Sequence, residues 1–244
     1  VEIVLDAHPR TTRSGRTPAV DRRPVAARER FAAYVAHELR SPLAAQRALL
    51  ELALSDASAD VDAWREVGRD ALRACRQQER LLDSCLALAR SREGLLRREP
   101  VDLAAIAAEA VRAHDAGGLE GVVLLGEART SGDPDLVERL VANLVSNAIR
   151  HNIDGGRIEI ATRADSGRAV LSVGNTGPRI PAGELGRLFQ PFQRLAATPR
   201  SFDDGVGLGL AIVAAIADAH CAVVSARARS GGGLAIDVAF PALD

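Results

Sequence analysis

Two amphipathic stretches fill most of the first 95 positions, and a different pattern follows them. Over residues 25–54, a helix turning 100° per residue from His37 puts Phe31, Val35, Leu39 and Leu43 at about 120°, 160°, 200° and 240°. Leu49, Leu50, Ala53 and Leu54 fall in the same sector, and only Gln46 interrupts it. His37 lies on the opposite side, so it faces solvent rather than a core. Ser41 is about 40° from His37 and shares its face, while Glu38 is about 100° round. Pro42 has no N–H for the carbonyl of Glu38, so a bend is expected just after the His37–Glu38 pair. "SDASAD" (55–60) reads as a turn. Over 61–92, Trp64, Ala71, Cys75, Leu82, Cys85 and Ala89 recur at helical spacing. Two such helices make an αα-hairpin. Each has one apolar face, so pairing with a second hairpin into a four-helix bundle, and hence a homodimer, is expected.

From Arg97 short β-like runs alternate with helices. "EPVDLAAIAAEAVRAH" reads as a strand and then a helix capped by Asp102, and "GVVLLGEA" as a strand. "GDPDLVERLVANLVSNAIRHN" opens a helix with Asp133 as N-cap and Pro134 at the first helical position. "GRIEIATRADSGRAVLSVGN" is a hairpin turning at 165–167. An irregular segment (176–204) precedes a glycine-led helix, "GVGLGLAIVAAIADAH", and "AVVSARARSGGGLAIDVAFP" closes the chain as a second hairpin. This mixture predicts an α+β unit. The division expected is an N-terminal segment over 1–24 ("VEIVL" strand-like, then a linker), the helical hairpin over 25–94, and the α/β unit over 95–244.

Composition narrows the functional classes. A net charge of −1 and 3% aromatic residues argue against nucleic-acid binding by bulk charge or by base stacking. Cys75, Cys85 and Cys221 lack metal-site spacing and read as small buried residues of a reduced protein. No run of about 18 apolar residues is present, so nothing in these 244 residues is expected to span a membrane.

Two features suggest nucleotide chemistry. Asn143 and Asn147 share one face of an otherwise apolar helix, where Asn is a poor helix former, and carboxamide oxygens suit Mg²⁺. Gly205, Gly207 and Gly209 open the later helix, where bare backbone N–H groups suit a polyphosphate. No βαβ unit begins there, which argues against a dinucleotide fold.

"HELRSPL" (37–43) resembles the phospho-acceptor box of sensor histidine kinases of bacterial two-component systems. That resemblance implies that His37 is phosphorylated, that Glu38 holds and deprotonates the imidazole, and that Ser41 takes the place of a Thr that often orients a hydrolytic water. Tyr34 and Ala36 stand where Asp and Ser are common. "LVANLVSNAIRHN" resembles the family's N box, which implies Asn147 as the magnesium ligand, Asn143 in support and Arg150 at the phosphates. "VGNTGPRIP" resembles the first glycine box, with Asn175 in place of the Asp that reads the adenine amino group, Gly177 at the backbone approach, and Arg179 where a second Gly is usual. On that reading an Asp at 175 would tighten ATP binding. "LFQPFQRL" resembles the aromatic box of the lid (Phe189, Phe192), from which Arg194 would reach the phosphates. His220 is read as a helix-end residue without a catalytic role.

The resemblance covers nearly the whole chain outside 1–24. It implies a dimeric helical bundle followed by an α/β sandwich of the GHKL (Bergerat) ATPase type, with ATP and Mg²⁺ as cofactors. The implied reaction is autophosphorylation of His37, transfer to an Asp of a response-regulator receiver domain, and a phosphatase activity. The implied location is the cytoplasmic portion of a membrane-anchored sensor, or a soluble kinase. Two alternatives stand beside it: a degenerate dimeric interaction module, and a GHKL ATPase that makes no phosphohistidine.

Overall fold

A computed structural model describes residues 2–5, 23–56, 60–93, 95, 97–114, 118–193 and 207–243, without the side chains of 23–34, 38, 92, 93 and 182. The chain divides into two compact units. One is helical and ends at Cys85; the other takes up from Leu86 and includes the first strand.

In the helical unit, α1 runs over Arg23–Ser55 and α2 over Val61–Glu93, its last turns passing into the second unit. The bend expected at Pro42 does not divide α1, which is one helix on both sides of it. Asp60 caps α2 by accepting from the N–H groups of Asp62 and Ala63. Gln46, the polar interruption of the stripe, joins the two helices: its Nε2 donates to the Ala71 carbonyl at 3.2 Å and to Cys75 Sγ at 3.1 Å. Among the described residues, the buried positions before Leu86 are Ala74 and Leu81, one step round from the predicted stripe of Ala71, Cys75 and Leu82. Leu43, Leu49, Leu50, Leu54, Leu72 and Leu82 remain exposed in the single chain. Each helix therefore keeps an apolar surface uncovered.

The second unit is a two-layer α/β sandwich. Its six-stranded sheet has the order β1-β7-β8-β6-β5-β3, formed by Glu2–Leu5, Val223–Ala228, Leu234–Pro241, Arg168–Asn175, Arg157–Asp165 and Glu120–Leu125. All neighbours are antiparallel except β3 and β5. Alternation drives the layering: Ile160, Val173, Ile236 and Ala226 lie in register across four strands, all buried, and Leu171, Val238 and Val224 form the next such row. Ser166 and Gly167, both at positive φ, make the tight β5–β6 turn. β2 (Glu99–Asp102) and β4 (Arg129–Gly132) form a small second sheet. Thr130 fastens it to the main sheet by donating to the Pro241 carbonyl at 2.7 Å.

Helices α3 (Leu103–Ala113), α4 (Pro134–Arg150) and α5 (Gly209–Ala219) pack on the sheet. Asp102 and Asp133 cap α3 and α4 as expected from their sequences. The buried side of α4 is Leu136, Val137, Leu140, Val141, Leu144, Val145 and Ala148, and truncating one of these leucines to Ala should cost about 2–5 kcal/mol. Residues 2–5, read from sequence as strand-like within an N-terminal segment, are the edge strand of this sheet. The segment read as irregular contains a 3₁₀ helix, Ala182–Phe189. Cys75 and Cys85 are half-buried, but Cys221, expected to be buried, is exposed at φ 55° in the α5–β7 turn.

Candidate functional site

On α1, His37 and Ser41 are both exposed, as the helical wheel requires. Ser41 Oγ donates to the His37 carbonyl at 3.3 Å, a local helix bond that leaves the imidazole open to solvent. Glu38 follows in the same helix, one position round, and its side chain is outside the description.

The second unit carries the other described candidates on α4, at the end of β6 and at the start of α5. Asn143 and Asn147 sit half-buried at the margin of α4's apolar face. Asn143 Nδ2 donates back to the Arg139 carbonyl at 2.8 Å, which turns its Oδ1 outward. A Cβ at Gly209, the first residue of α5, would lie 3.3 Å from that oxygen. The start of α5 has no side-chain cap, so its leading N–H groups and the positive end of its dipole are available to an anion. The side-chain amide of Asn147 makes no hydrogen bond with any described residue. A half-buried carboxamide left in this state, one turn along α4 from Asn143, suits a hard cation shared with phosphate oxygens. Arg150 is exposed in the last turn of α4.

Asn175 ends β6 and is 4% exposed. Its Nδ2 donates to two backbone carbonyls, His151 at 3.2 Å and Thr176 at 2.6 Å. Both amide hydrogens are thus used, and Oδ1, which accepts from no described residue, is the atom left to receive an amino group. A carboxylate here would face two carbonyl oxygens and donate to neither. These two bonds weigh against the expectation that Asp at this position tightens ATP binding. Gly177 is required because a Cβ there would come within 2.5 Å of the His151 carbonyl. Gly232 and Gly233, both at positive φ in the β7–β8 turn, press on the backbone of residues 175–177 from the other side.

A polar knot that the sequence did not reveal stands beside this pocket. Thr176 Oγ1 donates to Asn152 Oδ1 at 2.6 Å and accepts from the Arg157 N–H at 2.7 Å. Asn152 Nδ2 in turn donates to the carbonyls of Ala148 and Arg157. The knot ties the C-terminus of α4 to the end of β6, which sets Asn147 and Asn175 in one frame. Gly156, where a Cβ would strike Asn152 Oδ1 and Thr176 Oγ1, is a trace it leaves in the sequence.

Leu185 and Phe189 of the 3₁₀ helix are buried, and Phe192 is half-buried at φ 66°. The Phe192 N–H donates to the Gly207 carbonyl at 2.9 Å, with Gly207 at φ 73°. Arg194 and Gly205 lie outside the described residues. Among those described, no group of three His, Cys, Asp or Glu side chains could hold a metal, and no helix is long and apolar enough to cross a membrane.

Comparison with known proteins identifies the family. Residues 27–94 match the His Kinase A (phospho-acceptor) domain, and residues 132–244 match the histidine kinase-, DNA gyrase B- and HSP90-like ATPase family. The chain belongs to the sensor histidine kinases of two-component systems. It is 43% identical over 220 residues to the sensor protein CutS of Streptomyces coelicolor, covering 88% of this chain and 53% of that protein. It is 30% identical over 223 residues to the sensor-like histidine kinase SenX3 of Mycolicibacterium smegmatis, covering 88% and 58%. The chain thus spans somewhat over half the length of these relatives. The histidine kinase ThkA, solved in complex with the response regulator TrrA, shares the fold with a TM-score of 0.69 at 19% identity, covering 91% of this chain and 64% of that one. The histidine-kinase ATPase match begins at Gly132, yet β2, α3, β3 and β4 precede it within the same compact unit.

Proposed function

We propose that this chain is the kinase core of a two-component sensor. The observation that carries the reading is the set of three unspent groups on one unit: the unpartnered Asn147 amide, the uncapped start of α5 against Asn143 Oδ1, and Asn175 Oδ1. Asn175 and Gly177 bind the adenine. Asn143, Asn147, Arg150, Arg194 and the backbone at Gly205, Gly207 and Gly209 bind the triphosphate with Mg²⁺, for which Asn147 is the ligand. When bound, the ion neutralises charge on the phosphates. His37 attacks through Nε2, forming an N–P bond as the bond between the γ-phosphorus and the bridging oxygen breaks and ADP leaves. Glu38 orients the ring and takes the Nδ1 proton. The phosphoryl group then passes to an Asp of a receiver domain, and Ser41 keeps a hydroxyl for phosphatase chemistry.

The working division is a hairpin over 25–94, which dimerises through its exposed leucines, and a catalytic domain over 95–244. The core is assigned to the cytoplasmic side of a membrane-anchored sensor. His37→Gln tests the acceptor: it should abolish acid-labile labelling from γ-labelled ATP while fluorescent-nucleotide binding stays intact. Labelling at the original level in that variant contradicts the assignment.

A further inference from the structure

Strand β1 lies ahead of the helix that carries His37, yet it completes the sheet of the other unit. Glu2, Ile3, Val4 and Leu5 pair antiparallel with Arg227, Ala226, Ser225 and Val224. Ile3 and Leu5, opposite the buried Ala226 and Val224, extend the two core rows by one strand each. β1 also touches the 3₁₀ helix, which leads to Phe192 and its bond to Gly207. The attachment is slight: four residues, none fully buried, with Val4 60% exposed. Without β1, β7 still pairs with β8 and the other five strands keep their order.

We propose that the outer edge of β7 is a strand-docking surface, that Glu2–Leu5 of the same chain is its exchangeable occupant, and that the docked strand restrains the nucleotide-binding unit. A short strand with two half-buried apolar residues opens locally at far lower cost than the sheet it caps. While docked, it joins the sheet edge to the 3₁₀ helix at the base of the Phe192 segment. Any catalytic step that needs those parts to move must first break this attachment, so docking slows the step and release speeds it. The kinetic half of this inference rests on the proposed autokinase reaction; the docking half does not.

The test uses the full chain. In the Ile3→Asp/Leu5→Asp variant, backbone amides of Val224 and Ala226 should exchange with deuterium roughly tenfold faster than in the parent chain, while those of β6 and β8 keep their protection. Autophosphorylation should rise several-fold at unchanged ATP affinity. A second variant, Val4→Cys/Ser225→Cys, joins a register pair and should oxidise to an intrachain disulfide that slows autophosphorylation until reductant is added. Parent-level protection of β7 in the double Asp variant overturns the docking surface, and so does a cysteine pair that does not close. Disulfide-linked dimers that form only when both introduced cysteines are present would show the strand to belong to a second copy and overturn the same-chain occupant. Unaltered phosphorylation in both variants overturns the restraint. A parent chain that takes up no label, with β7 still protected by β1, refutes the kinase reading and leaves the docking surface standing.

Discussion

The backbone N–H of Asp133 donates to Nε2 of His220 at 3.1 Å, so the start of α4 rests on a ring at the end of α5. Nδ1 of the same ring donates to the Ile216 carbonyl at 2.8 Å, which fixes the neutral tautomer. The ring is 2% exposed, meets Phe240 edge-on with centroids 5.8 Å apart, and lies against Gly132, where any Cβ would collide with it. Sequence reading placed His220 correctly at a helix end, but its task is to seat the helix that carries Asn143 and Asn147.

That seat is sensitive to acid. Burial, the largest influence, pushes the His220 pKa below its ordinary value, and Arg98 adds to the effect; the Ile216 carbonyl and Asp133 oppose it. The folded state holds the ring neutral and the unfolded state protonates it more readily. Stability from this group is therefore complete above the unfolded pKa of about 6.5 and is lost as pH falls from there through the lower folded value. Melting followed from about pH 7.5 to 5.5 should show a steeper fall in Tm for the parent chain than for His220→Gln. Carboxylates such as Glu159, whose pKa is lowered chiefly by its bond to Arg229, do not titrate in that window. Equal slopes would show that His220 does not carry the acid sensitivity.

Asn175→Asp should weaken nucleotide binding and lower Tm. The new carboxylate would lose both donors and face the His151 and Thr176 carbonyls, at a cost of about 1–3 kcal/mol. Calorimetric titration with an ATP analogue and a thermal melt check it. Tighter binding at unchanged Tm would restore the carboxylate reading that the sequence suggested.

Asn147→Ala should separate binding from folding. The side chain has no partner among the described residues to lose, so stability should stay within about 0.5 kcal/mol of the parent. Magnesium-dependent nucleotide affinity should fall at least tenfold, about 1.4 kcal/mol. A large loss of stability with binding retained would make Asn147 structural.

Leu72→Lys and Leu82→Lys should shift the chain from dimer to monomer. Both leucines are about half exposed in the single chain and gain burial only if another copy covers them. Sedimentation at micromolar concentration reads the change. Variants that remain dimeric would place the interface elsewhere.

Local signals in the sequence were dependable, and contacts between distant residues were not. Asp133 and Pro134 marked the start of α4, and Asp165–Gly167 the β5–β6 turn, because capping and tight turns depend on adjacent residues. The polar strand β4, "RTSG", has no alternation that would have shown it, and it exists because β2 and Pro241 bind it. The role of β1 was hidden because its partner lies more than 200 positions later. The Asn152–Thr176 and Asp133–His220 links likewise join residues separated by 24 and 87 positions, where no periodicity points to them. Of the candidate site residues, those on α1, α4, β6 and the start of α5 fell on the elements expected; what only the structure added is which hydrogen-bonding groups the protein itself uses and which it leaves open.

The central claim is that this chain phosphorylates His37 from ATP. The most direct measurement is incubation of the purified chain with γ-labelled ATP and Mg²⁺, followed by acid and alkaline treatment of the denatured protein and mapping of the labelled peptide. The account predicts label on the peptide containing His37, lost in acid and kept in alkali. Label that survives acid, or none while ATP is still bound, would contradict it.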